Sequence, residues 1–135
     1  IAGTVGGDVA VLALNQPDAP MALPPRFHTF GLAVEAESRA AARAAFEQGL
    51  RSTAVESSGT PLARRSRGAY VEEWQALGGR VAASQEATSP TGYGALRAPL
   101  AQTTFDAAFL AAEANAARLM RPYLRAGIPI YATSQ

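Results

Sequence analysis

The chain has 135 residues, 48% of them apolar and 17% charged, with a formal net charge of +1 and no cysteine. That length supports one domain with a real core, and the balanced charge implies no nucleic-acid or membrane-surface partner. The lack of cysteine excludes disulfides, thiolate metal sites and thiol catalysis within this segment, and no apolar run approaches the roughly 18 residues needed to span a bilayer.

The run "DVAVLALN" (8–15) is rich in Val and Leu and ends on Asn15, the pattern of a buried strand. "QPDAPMALPP" (16–25) holds too many prolines for helix or central strand and reads as a crossover loop. "FHTFGL" (27–32) fits a brief extended segment. From Val34 to Gly49 the period becomes helical, with Val34, Ala41, Ala42, Ala45 and Phe46 facing inward. Glu35–Arg39 and Arg43–Glu47 stand at the i, i+4 spacing of pairs along one helix. "STAVES" (52–57) is the next strand, followed by a turn, "SGTP". A helix is expected from near Ser66 to Leu77, with Tyr70, Trp74 and Leu77 on one stripe. "RVAASQEA" (80–87) is a strand, and 89–102 holds at most a short helix broken by Pro99. "FDAAFLAA" (105–112) is a buried strand. The next helix turns Ala116, Leu119, Met120, Tyr123 and Leu124 inward, with a kink expected at Pro122. "IPIYATS" (128–134) is the last strand. Strands alternating with helices mean βαβ units and a three-layer, Rossmann-like α/β fold on a parallel sheet.

In an open parallel sheet, ligands bind beyond the carboxyl ends of the strands. Those ends carry Asn15 and Gln16; Ser57, Ser58 and Thr60; Ala112 and Glu113; Thr133 and Ser134. Small hydroxyls and amides of this kind suit a polar ligand, although strand ends are polar in any such domain because their loops are solvated. Catalytic motifs fail on inspection. "GTVGG" (3–7) precedes a strand instead of opening a helix, and the loop 57–67 lacks both the dinucleotide glycine spacing and a phosphate-loop lysine. No serine sits in a nucleophile elbow. His28 is alone and reads as a loop residue, and one histidine with scattered carboxylates makes no metal site. No cofactor is implied. "RRSR" (64–67) places three cations at an expected helix start, which suits either a solvated loop offset by Glu72 or Glu73 or, at Arg67, an anion contact.

Several blocks resemble the LppC/LpoA family of penicillin-binding-protein activators. "VLALN", the Pro-rich gap, "FHTFGL" and an Ala-rich helix follow the family's order. "EEWQALGGRV" (72–81) looks like its tryptophan helix ending in paired glycines. "FDAAFLAAEANAARLMRPYL" (105–124) with "IPIYATS" looks like its most recognisable block. Two places depart: "AVEAES" stands where the family has a serine–proline–acidic helix start, and "RRSR" stands where it has a glycine shortly before an arginine, the position matched by Arg67.

The resemblance implies a type I periplasmic-binding-protein fold, of which this chain supplies mainly the second lobe. Residues 1–26 would be the last strand of the first lobe plus the crossover, and 27–135 the second lobe. It implies an excised piece of a non-catalytic lipoprotein on the periplasmic face of the Gram-negative outer membrane, with its lipid anchor upstream. The implied partner is a penicillin-binding protein, a bifunctional peptidoglycan synthase. A candidate ligand cleft would be lined by Asn15, Gln16, Ser58, Thr60, Arg67, Thr133 and Ser134, for a small polar or cell-wall-derived molecule. The rival reading is a solute-binding lobe of an amino-acid or amide transport system, because one fold serves both. A small α/β enzyme is the weakest reading. The strand 8–15 is expected to join an edge of the second-lobe sheet or to pair with another copy of the chain.

Overall fold

The computed structural model describes residues 10–13, 22, 25–29 and 33–134. The chain divides into two units, Ile1–Ala33 and Val34–Gln135.

In the first unit, β1 (Val11–Ala13) pairs in parallel with β2 (Phe27–Thr29), Val11 opposite Phe27. This corrects the expectation that the first strand would join the edge of the larger sheet. The segment 14–26 is long enough for a parallel crossover, and β2 supplies the partner. His28 lies on β2, exposed, and not in a loop.

The second unit carries four parallel strands in the order β4-β3-β5-β6: β3 (Ser52–Ser57), β4 (Arg80–Glu86), β5 (Ala107–Ala111) and β6 (Ile130–Ala132). β3 and β5 are buried along their whole length, as inner strands covered on both faces must be. Alternation divides them between two cores. Val55, Phe109 and Ala111 face α1 (Val34–Glu47) and α2 (Pro61–Ala76). Ala54, Ala108 and Leu110 face a 3-10 turn (Pro90–Leu96), α3 (Arg97–Ala101) and α4 (Ala114–Met120), meeting Leu96, Leu100 and Met120. The layers are therefore helix, sheet, helix.

Small residues set the α1–α2 contact. Ala42, Ala45, Ala63 and Ala69 are buried, and the Ser38 and Ser66 hydroxyls meet at 2.9 Å between the helices. Ser38 also donates to the Val34 carbonyl at 2.6 Å, so its burial leaves no unpaired group. The charged pairs cross from helix to helix. Arg39 reaches Glu72 at 3.3 Å, Arg43 reaches Glu73 at 2.8 Å and Arg65 reaches Glu35 at 2.6 Å. The expected pairs along α1 are replaced because α2 presents carboxylates to the same guanidiniums.

Three boundaries differ from the sequence reading. α2 begins at Pro61, well before Ser66, because Thr60 caps it and proline suits the first helical position. Pro99 sits in the first turn of α3, where its missing N–H would have had no helical partner, so it does not break that helix. Pro122 ends the helix instead of kinking it: α4 stops at Met120 and a 3-10 turn, Arg121–Tyr123, follows. Leu119 is left 53% exposed, while Met120 and Leu124 fill the core.

At the amino ends of the strands Asp106 ties β5 to β3. Its carboxylate accepts from the Arg51 and Ser52 amides at 3.1 and 3.2 Å, and its own amide donates to the Ser52 Oγ at 3.1 Å. The Arg51 amide bond, foremost, with the two Ser52 bonds and the Arg80 charge, holds this carboxyl below its ordinary pKa against the opposing effect of burial. Asp106→Ala is expected to lower unfolding free energy by about 1–2 kcal/mol, read from urea denaturation midpoints. An unchanged midpoint would show that the amides find water equally well.

Candidate functional site

The strand order reverses between β3 and β5, which marks the crevice at their carboxyl ends. The loop leaving β3 runs through Ser58, Gly59 and Thr60 into α2. Ser58 donates its amide to the Ala111 carbonyl at 3.1 Å, binding the loop to the end of β5. Gly59 has φ 77°, and a Cβ there would lie 2.6 Å from Thr88 Cγ2, so conformation and space both demand glycine. Thr60 caps α2 by accepting from the Ala63 amide at 3.2 Å.

Glu113, at the start of α4, closes the crevice from the β5 side. One carboxylate oxygen accepts from the Ser58 hydroxyl at 2.9 Å, and the other accepts from the Thr60 hydroxyl. These bonds, Thr60's foremost, hold the Glu113 carboxyl below its ordinary pKa despite partial burial. The two hydroxyls expected to greet a ligand are thus engaged by a carboxylate of the chain itself.

The other expected site residues are placed separately. Ser134 donates its amide to Glu37 at 2.8 Å and its hydroxyl to the same carboxylate at 2.9 Å, tying the end of β6 to the first turn of α1. Thr133 is partly buried beside it. Arg67 lies past the first turn of α2, 3.9 Å from Glu86, a carboxylate already gripped by Arg64 at 2.7 and 3.1 Å. It lines a groove of about 690 Å³ between α2 and β4 with Val71, Gln75, Val81 and Ser84. The "RRSR" cations therefore sit inside α2 and are met by Glu86 and Glu35. Asn15 and Gln16 lie outside the described residues, as does "GTVGG".

Glu56 was not singled out by the sequence reading. It is fully buried on β3, accepts from Gln85 Nε2 at 3.4 Å through one oxygen, and has no hydrogen-bond partner on the other. Burial pushes its pKa up to about 7, against the lowering effects of the Gln85 bond and the Arg67 charge. The available signal was a lone glutamate in a strand otherwise made of small and apolar residues.

Among the described residues, no group of three or more His, Cys, Asp or Glu could hold a metal ion, and no helix is long and apolar enough to cross a membrane. The crevice offers hydroxyl donors, a helix N-terminus and a fixed carboxylate. These groups suit hydrogen bonds to a polar ligand.

The family model described as "LppC putative lipoprotein" matches residues 4–92. Comparison with the curated proteins gives no match. Among solved structures, the chain is similar to a "putative branched-chain amino acid ABC transporter" protein from Chromobacterium violaceum, at 31% identity and a TM-score of 0.66, over 99% of this chain and 43% of that one. It is similar to the LpoA (YraM) C-domain of Haemophilus influenzae, a regulator of PBP1A, at 25% identity and a TM-score of 0.65, over 91% of this chain and 39% of that one. Full-length LpoA from the same organism gives 25% identity and a TM-score of 0.63, over 91% of this chain and 23% of that one. The chain spans less than half the length of each of these structures. These neighbours give the parallel sheet the fold class expected for it, that of periplasmic-binding-protein-like α/β proteins.

Proposed function

The chain belongs to the LppC lipoprotein family, and from that premise we propose that it is a non-catalytic part of a periplasmic regulator that activates a bifunctional penicillin-binding protein. The observation carrying this reading is the family match over residues 4–92, joined by similarity to the C-domain of LpoA, a regulator of PBP1A. In this proposal residues 1–26 contribute the last strand of one lobe and the crossover, and 27–135 form most of the other. The longer protein is held at the periplasmic face of the outer membrane by lipid attached upstream. Activation requires tighter contact with the active state of the synthase than with the inactive one. The test is co-purification of the full-length protein with the periplasmic part of the synthase. Retention of the synthase supports the reading, and its absence at micromolar concentrations sinks it.

Similarity to the branched-chain amino acid transporter protein favours a second reading, a solute-binding lobe. In that case Ser58, Thr60, Arg67, Thr133 and Ser134, with Asn15 and Gln16, would line a cleft for a small polar or cell-wall-derived molecule. The engagement of Ser58 and Thr60 by Glu113, and of Ser134 by Glu37, weighs against it, because a ligand must displace those carboxylates. A thermal-shift screen of the full-length protein with amino acids and muropeptides separates the two readings. Flat responses fit the regulator, whereas a shift of several degrees restores the solute-binding reading.

A further inference from the structure

The ion pairs found among the described residues of the second unit gather on one side. Among the described residues, all five ion pairs join α1, α2 and β4, and they engage Arg39, Arg43, Arg64, Arg65 and Arg67. On the opposite face Arg97, Arg118, Arg121 and Arg125 are all exposed, and none has a carboxylate at ion-pair distance among the described residues. The carboxylates of the segment 90–134 are Asp106 and Glu113, and both are committed elsewhere, to strand amides and to the crevice hydroxyls.

The same face is not uniformly polar. A groove of about 460 Å³ runs between α3 and the 3-10 turn that follows α4. The exposed Ala101, Pro122 and Ala126 and the half-buried Tyr123 give it apolar surface, and Arg97 and Arg125 line it. Leu119, 53% exposed, adds an apolar side chain on α4. α3 leads into the amino end of β5, and the turn after α4 leads into the amino end of β6. The groove therefore lies at the opposite end of the sheet from the Ser58–Glu113 crevice.

The Arg125 guanidinium lies over the Phe105 ring at 5.6 Å. Guanidiniums without a carboxylate beside an apolar groove present donor forks to carboxylates and a slot to an aliphatic side chain. From this we infer that the α3–α4 face is the surface on which the chain docks an acidic protein segment, carboxylates to Arg97, Arg121 and Arg125 and an apolar anchor over Pro122 and Tyr123. A glycan strand would meet the guanidiniums but has no side chain for the groove. The inference rests on the regulator reading and deepens it by naming the docking surface and the chemistry of the synthase segment that fits there.

The test uses the full-length protein and the periplasmic part of the synthase, with affinity measured over a range of salt. The Arg97→Glu/Arg125→Glu double variant is expected to bind about tenfold more weakly or worse at low salt, and to lose much of the salt dependence of the wild type. Arg97→Gln/Arg125→Gln, which only removes the attraction, is expected to fall between the two. Both side chains are exposed, and Arg125 also lies over the Phe105 ring, so melting temperatures are measured for both variants and the neutral pair carries the test if the reversed pair melts early. Equal affinity of wild type and both variants would overturn the docking surface and leave the regulator reading standing. Retained synthase binding with lost binding to isolated peptidoglycan would also overturn it, assigning the arginines to the wall polymer. No binding by the wild type would remove the regulator reading and this inference together.

Discussion

Trp74→Ala is expected to remove about 3–5 kcal/mol of stability, a large part of the roughly 5–15 kcal/mol that holds a domain together. Trp74 is fully buried on α2 in a row of four rings. Phe46 meets its edge at 5.8 Å between centroids, Tyr70 stacks on it at 5.9 Å, and Tyr70 stacks in turn on Phe109 at 3.9 Å. The indole N–H donates to the Arg80 carbonyl at 3.1 Å, fixing the start of β4 to the end of α2. Truncation opens a cavity among rings held by the rigid sheet and leaves that carbonyl without its donor. Gly79 faces the same ring, and a Cβ there would lie 2.4 Å from the indole. Gly79→Ala is therefore expected to destabilise by about 1–3 kcal/mol through overpacking. The added methyl should be tolerated in the Trp74→Ala background, where the ring it strikes is gone. Chemical denaturation of the two single variants and the double variant reads the coupling. Additive effects would show that Gly79 is required for some reason other than the indole.

Glu56→Gln is expected to abolish the pH dependence of stability on the neutral side. The folded pKa of Glu56 is raised to about 7 from an ordinary 4.5, chiefly by burial. Between these values the folded state keeps a proton that the unfolded state has lost. The contribution of Glu56 to stability is thus fullest below about pH 4.5 and is lost as pH rises toward 7, by on the order of 2–3 kcal/mol. Glutamine keeps the shape and cannot ionise. The variant should be level between pH 5 and 8 and more stable than the wild type at pH 8. Below pH 4.5 both proteins should lose stability together, because Glu35, Glu86, Asp106 and Glu113 have lowered pKa values and their bonds are lost as pH falls through them. Parallel curves above pH 5 would show that Glu56 is solvated in the folded protein.

The parallel sheet was readable because each of its strands is a short run between turn residues, β5 wholly apolar, and Tyr70 and Trp74 lie at helical spacing. What escaped the reading depends on partners distant in sequence. Ser38 looks like a polar interruption of an apolar stripe until Ser66 is seen to face it from α2. Arg39 and Arg43 have local partners by spacing, yet Glu72 and Glu73 take them. Thr60–Pro61 was read as a turn, although a threonine before a proline is equally a capped helix start. Arg67 was set beside the crevice on the family resemblance, and the helix start at Pro61 places it on α2 beside Glu86. Glu113 stood among the strand ends without a role, since only the fold brings it to Ser58 and Thr60.

The chain's membership of the LppC family and its likeness to a PBP1A regulator make activation of a peptidoglycan synthase the central claim. The most direct measurement is the rate of glycan polymerisation by the bifunctional penicillin-binding protein, with and without the full-length protein at saturating concentration. A rate increase of severalfold that saturates with added protein is predicted, unchanged by free amino acids. An unchanged rate, with the protein shown to be folded and present in excess, would contradict the account.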